Sequence, residues 1–129
     1  YLGQFPAQVF DKINENFIRC SFFELCSRYL SSCYTFAIEQ NNSAGRSDFE
    51  MTGIPGTDYY KDDRLAEFKY FKAKEAERML ALSDPRPEDV AQVLAYAKDT
   101  KVKFPHYHVR SYIVYICANK GWKCWEVTE

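Results

Sequence analysis

One stretch constrains this chain more than any other: FIRCSFFELCSRYLSSCYTFAI, running from Phe17 to Ile38. Fourteen of its 22 residues are apolar, and Phe22, Leu25/Cys26, Tyr29/Leu30, Cys33 and Phe36/Ala37 recur every three to four positions. That period predicts an amphipathic, nearly buried helix. Such a helix cannot stand alone in water, so the rest of the chain or a partner has to cover it. Glu24 and Arg28 in its middle would each cost about 2.5–3.5 kcal/mol at a bilayer centre, and their i,i+4 spacing suits a water-facing stripe. No membrane span is expected.

The flanking segments extend a helical reading. Pro6 suits a first helical turn, and Val9/Phe10, Ile13, Phe17 and Cys20 continue an apolar stripe. Ser21 with Glu24 has capping-box spacing, so residues 7–38 read as two helices joined near Cys20–Ser21, or as one kinked helix. Residues 41–58 break every period, with Gly53-Ile54-Pro55-Gly56 as turn chemistry, and predict a long irregular loop. Phe49, Met51 and Ile54 are apolar anchors that a merely solvated loop would not need.

Residues 59–82 read as a charged surface helix. Leu65, Phe68, Ala76, Met79 and Leu80 form its narrow seam, and Arg64–Glu67, Lys72–Glu75 and Lys74–Glu77 pair at i,i+3. Its charge run is expected to be a solvated face. Pro85 and Pro87 stop it, and Pro87 with Glu88 and Asp89 opens a further helix ending near 98–100. The last stretch has two readings. One is a helix over 106–118 followed by a short strand. The other is a hairpin in which Tyr112–Cys117 turns at Asn119-Lys120-Gly121 and pairs with Trp122–Val127. The first is the expectation. The predicted fold is thus one mainly α domain, with four or five helices around the apolar one and a short C-terminal β element.

Composition narrows function by exclusion. The chain has 129 residues, enough for a core without staples, and a net charge of −1, which argues against generic polyanion binding. Charge is uneven: residues 98–129 carry six basic and three acidic side chains. Five cysteines leave at least one unpaired within the chain, and none has C-x-x-C spacing. No glycine-rich phosphate cradle is present. His106, His108, Cys117 and Cys124 are ligand types that zinc accepts, but their spacing matches no recognised zinc pattern. A Cys–His nucleophile pair has no local signature either. No catalytic residue, metal site or cofactor is expected.

Two function classes remain. The first is a non-catalytic accessory subunit of a larger protein assembly, docking through Phe22 and Tyr29 on the apolar helix and Phe49, Met51 and Ile54 in the loop. Abundant aromatics, ten Tyr, ten Phe and two Trp, fit a surface that meets partners. The start at Tyr1 suggests a fragment or processed product, with an organellar, mitochondrial setting as the accompanying expectation. The alternative is a nucleic-acid-binding domain that uses the basic, aromatic segment 98–125, with Lys101, Lys103, His106, His108, Arg110, Lys120 and Lys123 as contacts. In that reading the last two helices form a helix–turn–helix with the tail strand as a wing.

Overall fold

A mixed β-sheet, not a helical bundle, organises the chain. In the computed structural model the elements run α1 (Glu15–Leu30), β1 (Tyr34–Asn42), β2 (Gly45–Gly53), β3 (Asp62–Phe71), α2 (Ala73–Leu80), α3 (Pro87–Lys103), β4 (His108–Cys117) and β5 (Gly121–Val127). The structure describes residues 15–42 and 45–128, with side chains except at 15, 16, 19, 38–42 and 45–48. The first part of the helical reading over 7–38, residues 7–14, lies outside the described residues.

The five strands lie in sequence order, β1-β2-β3-β4-β5. Hairpins make β1–β2, β2–β3 and β4–β5 antiparallel. The β3–β4 pair is parallel. A parallel pair cannot be closed by a tight turn and needs a long crossover, which α2 and α3 supply. Pro87 stands at the first turn of α3 beside Glu88 and Asp89, and Lys101 and Lys103 end it. Both ends therefore complement the helix dipole. The Phe104 N–H closes α3 onto the Thr100 carbonyl at 2.9 Å, and Pro105 follows.

The pleat sends alternate side chains to opposite faces. On one face α1 lays Ile18 and Cys26 against Phe49, Phe68, Phe36, Met51, Val114 and Ile116. On the other, α2 and α3 set Ala76, Met79 and Val93 against Phe71, Ile113, Tyr115 and Cys117, while Tyr96 and Ala97 of α3 cover Leu65. The result is a three-layer α/β domain with β3 buried on both faces.

A buried network pins the start of α3. Asp89 accepts a hydrogen bond from the Tyr115 hydroxyl and another from Arg86 Nε at 2.9 Å, while the Arg86 guanidinium stacks 5.1 Å from the Phe71 ring. Arg86 thus turns from a surface residue into a clamp between the crossover and the sheet.

The mainly α expectation is therefore overturned at four places. α1 ends at Leu30, and Tyr34–Ile38 belongs to β1, because pairing with β2 wins over the helical stripe. Nor does α1 break at Cys20–Ser21: it runs from Glu15 through both, so Ser21 is no cap. The supposed irregular loop 41–58 contains β2, and the charged helix 59–82 is β3 followed by the short α2. Segment 108–117 is a strand, which rules out helix–turn–helix docking and leaves the hairpin reading correct. No described helix is long and apolar enough to cross a membrane.

Candidate active site

On β3, residues 63, 65, 67, 69 and 71 share the face that α2 and α3 cover. Asp63, Leu65, Glu67 and Phe71 of that row are buried. Glu67 is thus a carboxylate in a core row, with a side chain only 3% exposed. Lys69, two residues on, brings its Nζ to 3.3 Å from Glu67 Oε1. The strand makes this pair: at i,i+2 two side chains meet on a pleat, whereas on a helix they diverge. Across the ladder Glu67 faces Ile113 and Lys69 faces Tyr115. Burying a carboxylate costs several kcal/mol even when it is paired, and an apolar residue would serve the core as well or better. Acid and base held in that way mark a site where chemistry, not packing, sets the residue type.

β2 runs antiparallel alongside. Thr52 stands opposite Asp63, Glu50 opposite Leu65 and Phe49 opposite Ala66. The paired register ends at Phe49, and Asp48 is the residue before it on β2. The row of alternate β2 positions is Asp48, Glu50 and Thr52. Above it, Tyr96 of α3 packs on Leu65, and its hydroxyl accepts Gln92 Nε2 at 3.2 Å.

Asp63, at the far end of the row, is wholly buried and accepts Thr52 Oγ1 at 3.5 Å. Burial, then the like charge of Glu50, push its carboxyl up to about 8, so it holds a proton at neutral pH. The folded state then binds one more proton than the unfolded chain between the ordinary aspartate value and about 8. Stability should fall as pH rises through that window and level off above it. Denaturant melts from pH 4 to 9 should show that slope in the wild type. Asp63→Asn should flatten it, and an equal slope in both would rule out Asp63 as its source.

A family model described as the PD-(D/E)XK nuclease superfamily matches residues 13–126. The chain belongs to this superfamily. No curated protein and no solved structure gives a match. The superfamily name spells an acid, any residue and a lysine, and two runs in the chain fit: Glu67-Phe68-Lys69 and Asp99-Thr100-Lys101. Geometry chooses between them. The first lies on β3, where acid and lysine share a face and pair. The second lies in α3, where i and i+2 turn away from each other and Asp99 instead meets Lys103 at 3.8 Å. The Pro-Asp of the name has no literal counterpart, since none of the five prolines precedes an aspartate. The acids offered by the strand beside Glu67 are Asp48 and Glu50.

Membership in a nuclease superfamily overturns the expectation of a non-catalytic accessory subunit without catalytic residues. It also replaces the alternative of a simple binding domain. The residues expected to dock a protein partner lie elsewhere. Phe49 is 1% exposed, in the core of β2. Phe22 and Met51 join it in lining an apolar cavity of about 750 Å³ on the α1 face, opposite Glu67 and Lys69. Tyr29 is 72% exposed, and Ile54 is half-buried just beyond β2.

The proposed nucleic-acid contacts split into two groups. Lys101, Lys103, His106, His108 and Arg110 gather where β3 and β4 begin. Lys120 and Lys123 lie at the other end of β4, and the Lys123 ammonium donates to the Leu82 carbonyl. His108 and Cys117 are at opposite ends of β4, roughly 30 Å apart at the usual strand rise, so the His–Cys combinations fail on distance. Among the described residues no three His, Cys, Asp or Glu side chains converge.

Sequence reasoning missed the Glu67–Lys69 pair. The available signal was the acid-x-lysine run. The helical assignment hid it by pairing Glu67 with Arg64, which instead bonds Asp62 at 3.0 Å.

Proposed function

We propose that this chain is a divalent-cation-dependent nuclease that hydrolyses phosphodiester bonds, with Glu67 as a carboxylate ligand, an acid of the adjoining β2 as a second, and Lys69 as the cationic partner of the scissile phosphate. The observation that carries this reading is the buried Glu67–Lys69 pair on β3, at the spacing of the family name and within the matched region. The donors fit a hard cation such as Mg²⁺, which takes carboxylate oxygens and keeps several waters. When bound, such an ion polarises the phosphoryl oxygen and lowers the pKa of its water.

The chain's own residues supply the rest. Glu67 contributes an oxygen fixed by the sheet on both sides, so little is reorganised on binding. Lys69 places a positive charge where charge builds up on the phosphate during displacement. The covering helices restrict water around both groups, which strengthens their fields.

The test is cleavage of labelled single- and double-stranded DNA and RNA with Mg²⁺ or Mn²⁺, then with excess chelator. Cleavage is expected with the cation and none with chelator. Cleavage that survives chelation, or none on any of the four substrates with either cation, would count against this reading.

A further inference from the structure

At the end of the sheet where β3 and β4 begin, two loops press aromatic rings together in solvent. Tyr59 and Tyr60 precede β3, and Phe104 and Tyr107 link α3 to β4. The Tyr60 and Tyr107 rings meet edge to face at 6.1 Å, and Phe104 and Tyr107 at 5.2 Å. Tyr60 is 46% exposed and Phe104 38%. Lys61 Nζ lies 5.7 Å from the Tyr60 ring centre. Every residue from 101 to 106 is exposed, as are His108 and Arg110, so Lys101, Lys103 and Arg110, which flank Phe104 and Tyr107 in sequence, are open to solvent.

The patch is built, not incidental. The His108 N–H bonds the Lys61 carbonyl at 2.6 Å, Asp62 N–H the Tyr59 carbonyl at 3.0 Å, and Tyr107 N–H the Phe104 carbonyl at 3.0 Å. Lys61 takes a φ of 72°, a left-handed conformation that a lysine adopts only at a cost. Gly53 permits the turn, because a Cβ there would fall 1.6 Å from the Tyr59 carbonyl oxygen. Of the nearby acids, Asp62 accepts Tyr34 and Arg64 and Asp99 meets Lys103, while Asp58, just before Tyr59, is exposed.

Rigid exposed aromatics bordered by cations suit one ligand chemistry above others. Unpaired bases stack on the rings while phosphates follow the cations, and the contact tolerates any base sequence. In a duplex the base faces are hidden in the stack. We propose that Tyr60, Phe104 and Tyr107 form a stacking platform for unpaired bases, so that the enzyme engages a single-stranded segment of its nucleic acid. This rests on the nuclease reading for the class of ligand. Glu67 lies six positions along from Lys61, roughly 20 Å at the strand rise, which places the platform beside the proposed cleavage site and not within it.

The test uses the full chain in chelator, where cleavage does not interfere. Affinity is measured for a fluorescent oligothymidine and for a blunt hairpin duplex. Tighter binding of the single strand is expected, with Tyr60→Ala/Tyr107→Ala losing about 10–100-fold on it, from the usual worth of base stacking. Tyr60→Phe/Tyr107→Phe should keep the affinity, since the ring stacks without its hydroxyl. A 2-aminopurine oligonucleotide with the wild-type chain gives a readout independent of variant folding: its emission should be quenched on binding. Preference for the blunt duplex, unchanged affinity in a folded alanine variant, or no quenching would overturn the platform. If alanine variants lose single-strand binding but Glu67→Gln still cleaves, the platform stands and the assigned site falls. If Glu67→Gln is inactive while alanine variants bind and cleave normally, the reverse holds.

Discussion

Glu67→Gln should reduce cation-dependent cleavage by about 10²–10³-fold or more, the usual loss when one preorganised charged group is removed from a reacting centre. The substitution keeps the side-chain volume and removes the charge, so the packing against Leu65 and Ile113 survives. Its stability cost arises from Lys69, left without its carboxylate in a half-buried position, 20% exposed. Glu67→Gln/Lys69→Met removes both charges and should recover that stability, because a paired buried charge replaced by apolar volume is often neutral or better. A purely structural pair predicts that the double variant recovers stability and activity together. A catalytic pair predicts that stability returns and activity does not. Thermal melts beside single-turnover cleavage separate the two.

Phe49→Ala should lower stability by about 3–5 kcal/mol, the range for deleting a buried phenyl ring. Phe49 is almost fully buried, with its ring 4.9 Å from Phe22, 6.0 Å from Phe36 and 6.3 Å from Phe68. It therefore joins α1 to three strands at once. For a chain of this length the loss amounts to a fall in Tm of roughly 10 °C or more. Phe49→Leu should cost much less by keeping most of the volume. Phe49 also lies between Asp48 and Glu50, so its loss should loosen β2 beside Glu67 and lower cleavage below what the unfolded fraction explains. A melt of Phe49→Ala within a few degrees of wild type would contradict its core position. It would also revive an exposed docking role.

How the sequence misled is instructive at particular residues. Lys72–Glu75 and Lys74–Glu77 lie in or just before α2, as their spacing suggests, but the same rule applied to Arg64 and Glu67 reached into a strand. Periodicity failed there because β3 is covered on both faces: Leu65 and Phe71 face α2 and α3, Phe68 faces α1, and neither a two-residue nor a four-residue period stands clear. Residues 41–58 carry charge, glycine and a central Phe–Glu–Met, and a strand with one polar and one core face reads like an irregular loop. The hairpin near Asn119-Lys120-Gly121 was legible, because turn chemistry is local and Tyr112–Cys117 is β-branched and aromatic.

What the sequence determined by itself is what depends on neighbours along the chain: the start of α3 at Pro87 with its acids, the final turn, and the acid-x-lysine run of β3; the end of α3, expected near 98–100, lies at Lys103. What the tertiary structure decided is what depends on residues far apart. Pairing with β2 turned Tyr34–Ile38 from helix to strand, since ladder hydrogen bonds and a shared apolar face outweigh a difference in intrinsic propensity of only about 1 kcal/mol. Burial of β3 between two helical layers converted Glu67 and Lys69 from ordinary surface charges into a paired, desolvated couple. The hydrogen bond from His108 to Lys61 brought two loops more than forty residues apart into one aromatic surface. Identical side chains acquire chemistry from the dielectric and the partners around them, and those are properties of the folded chain.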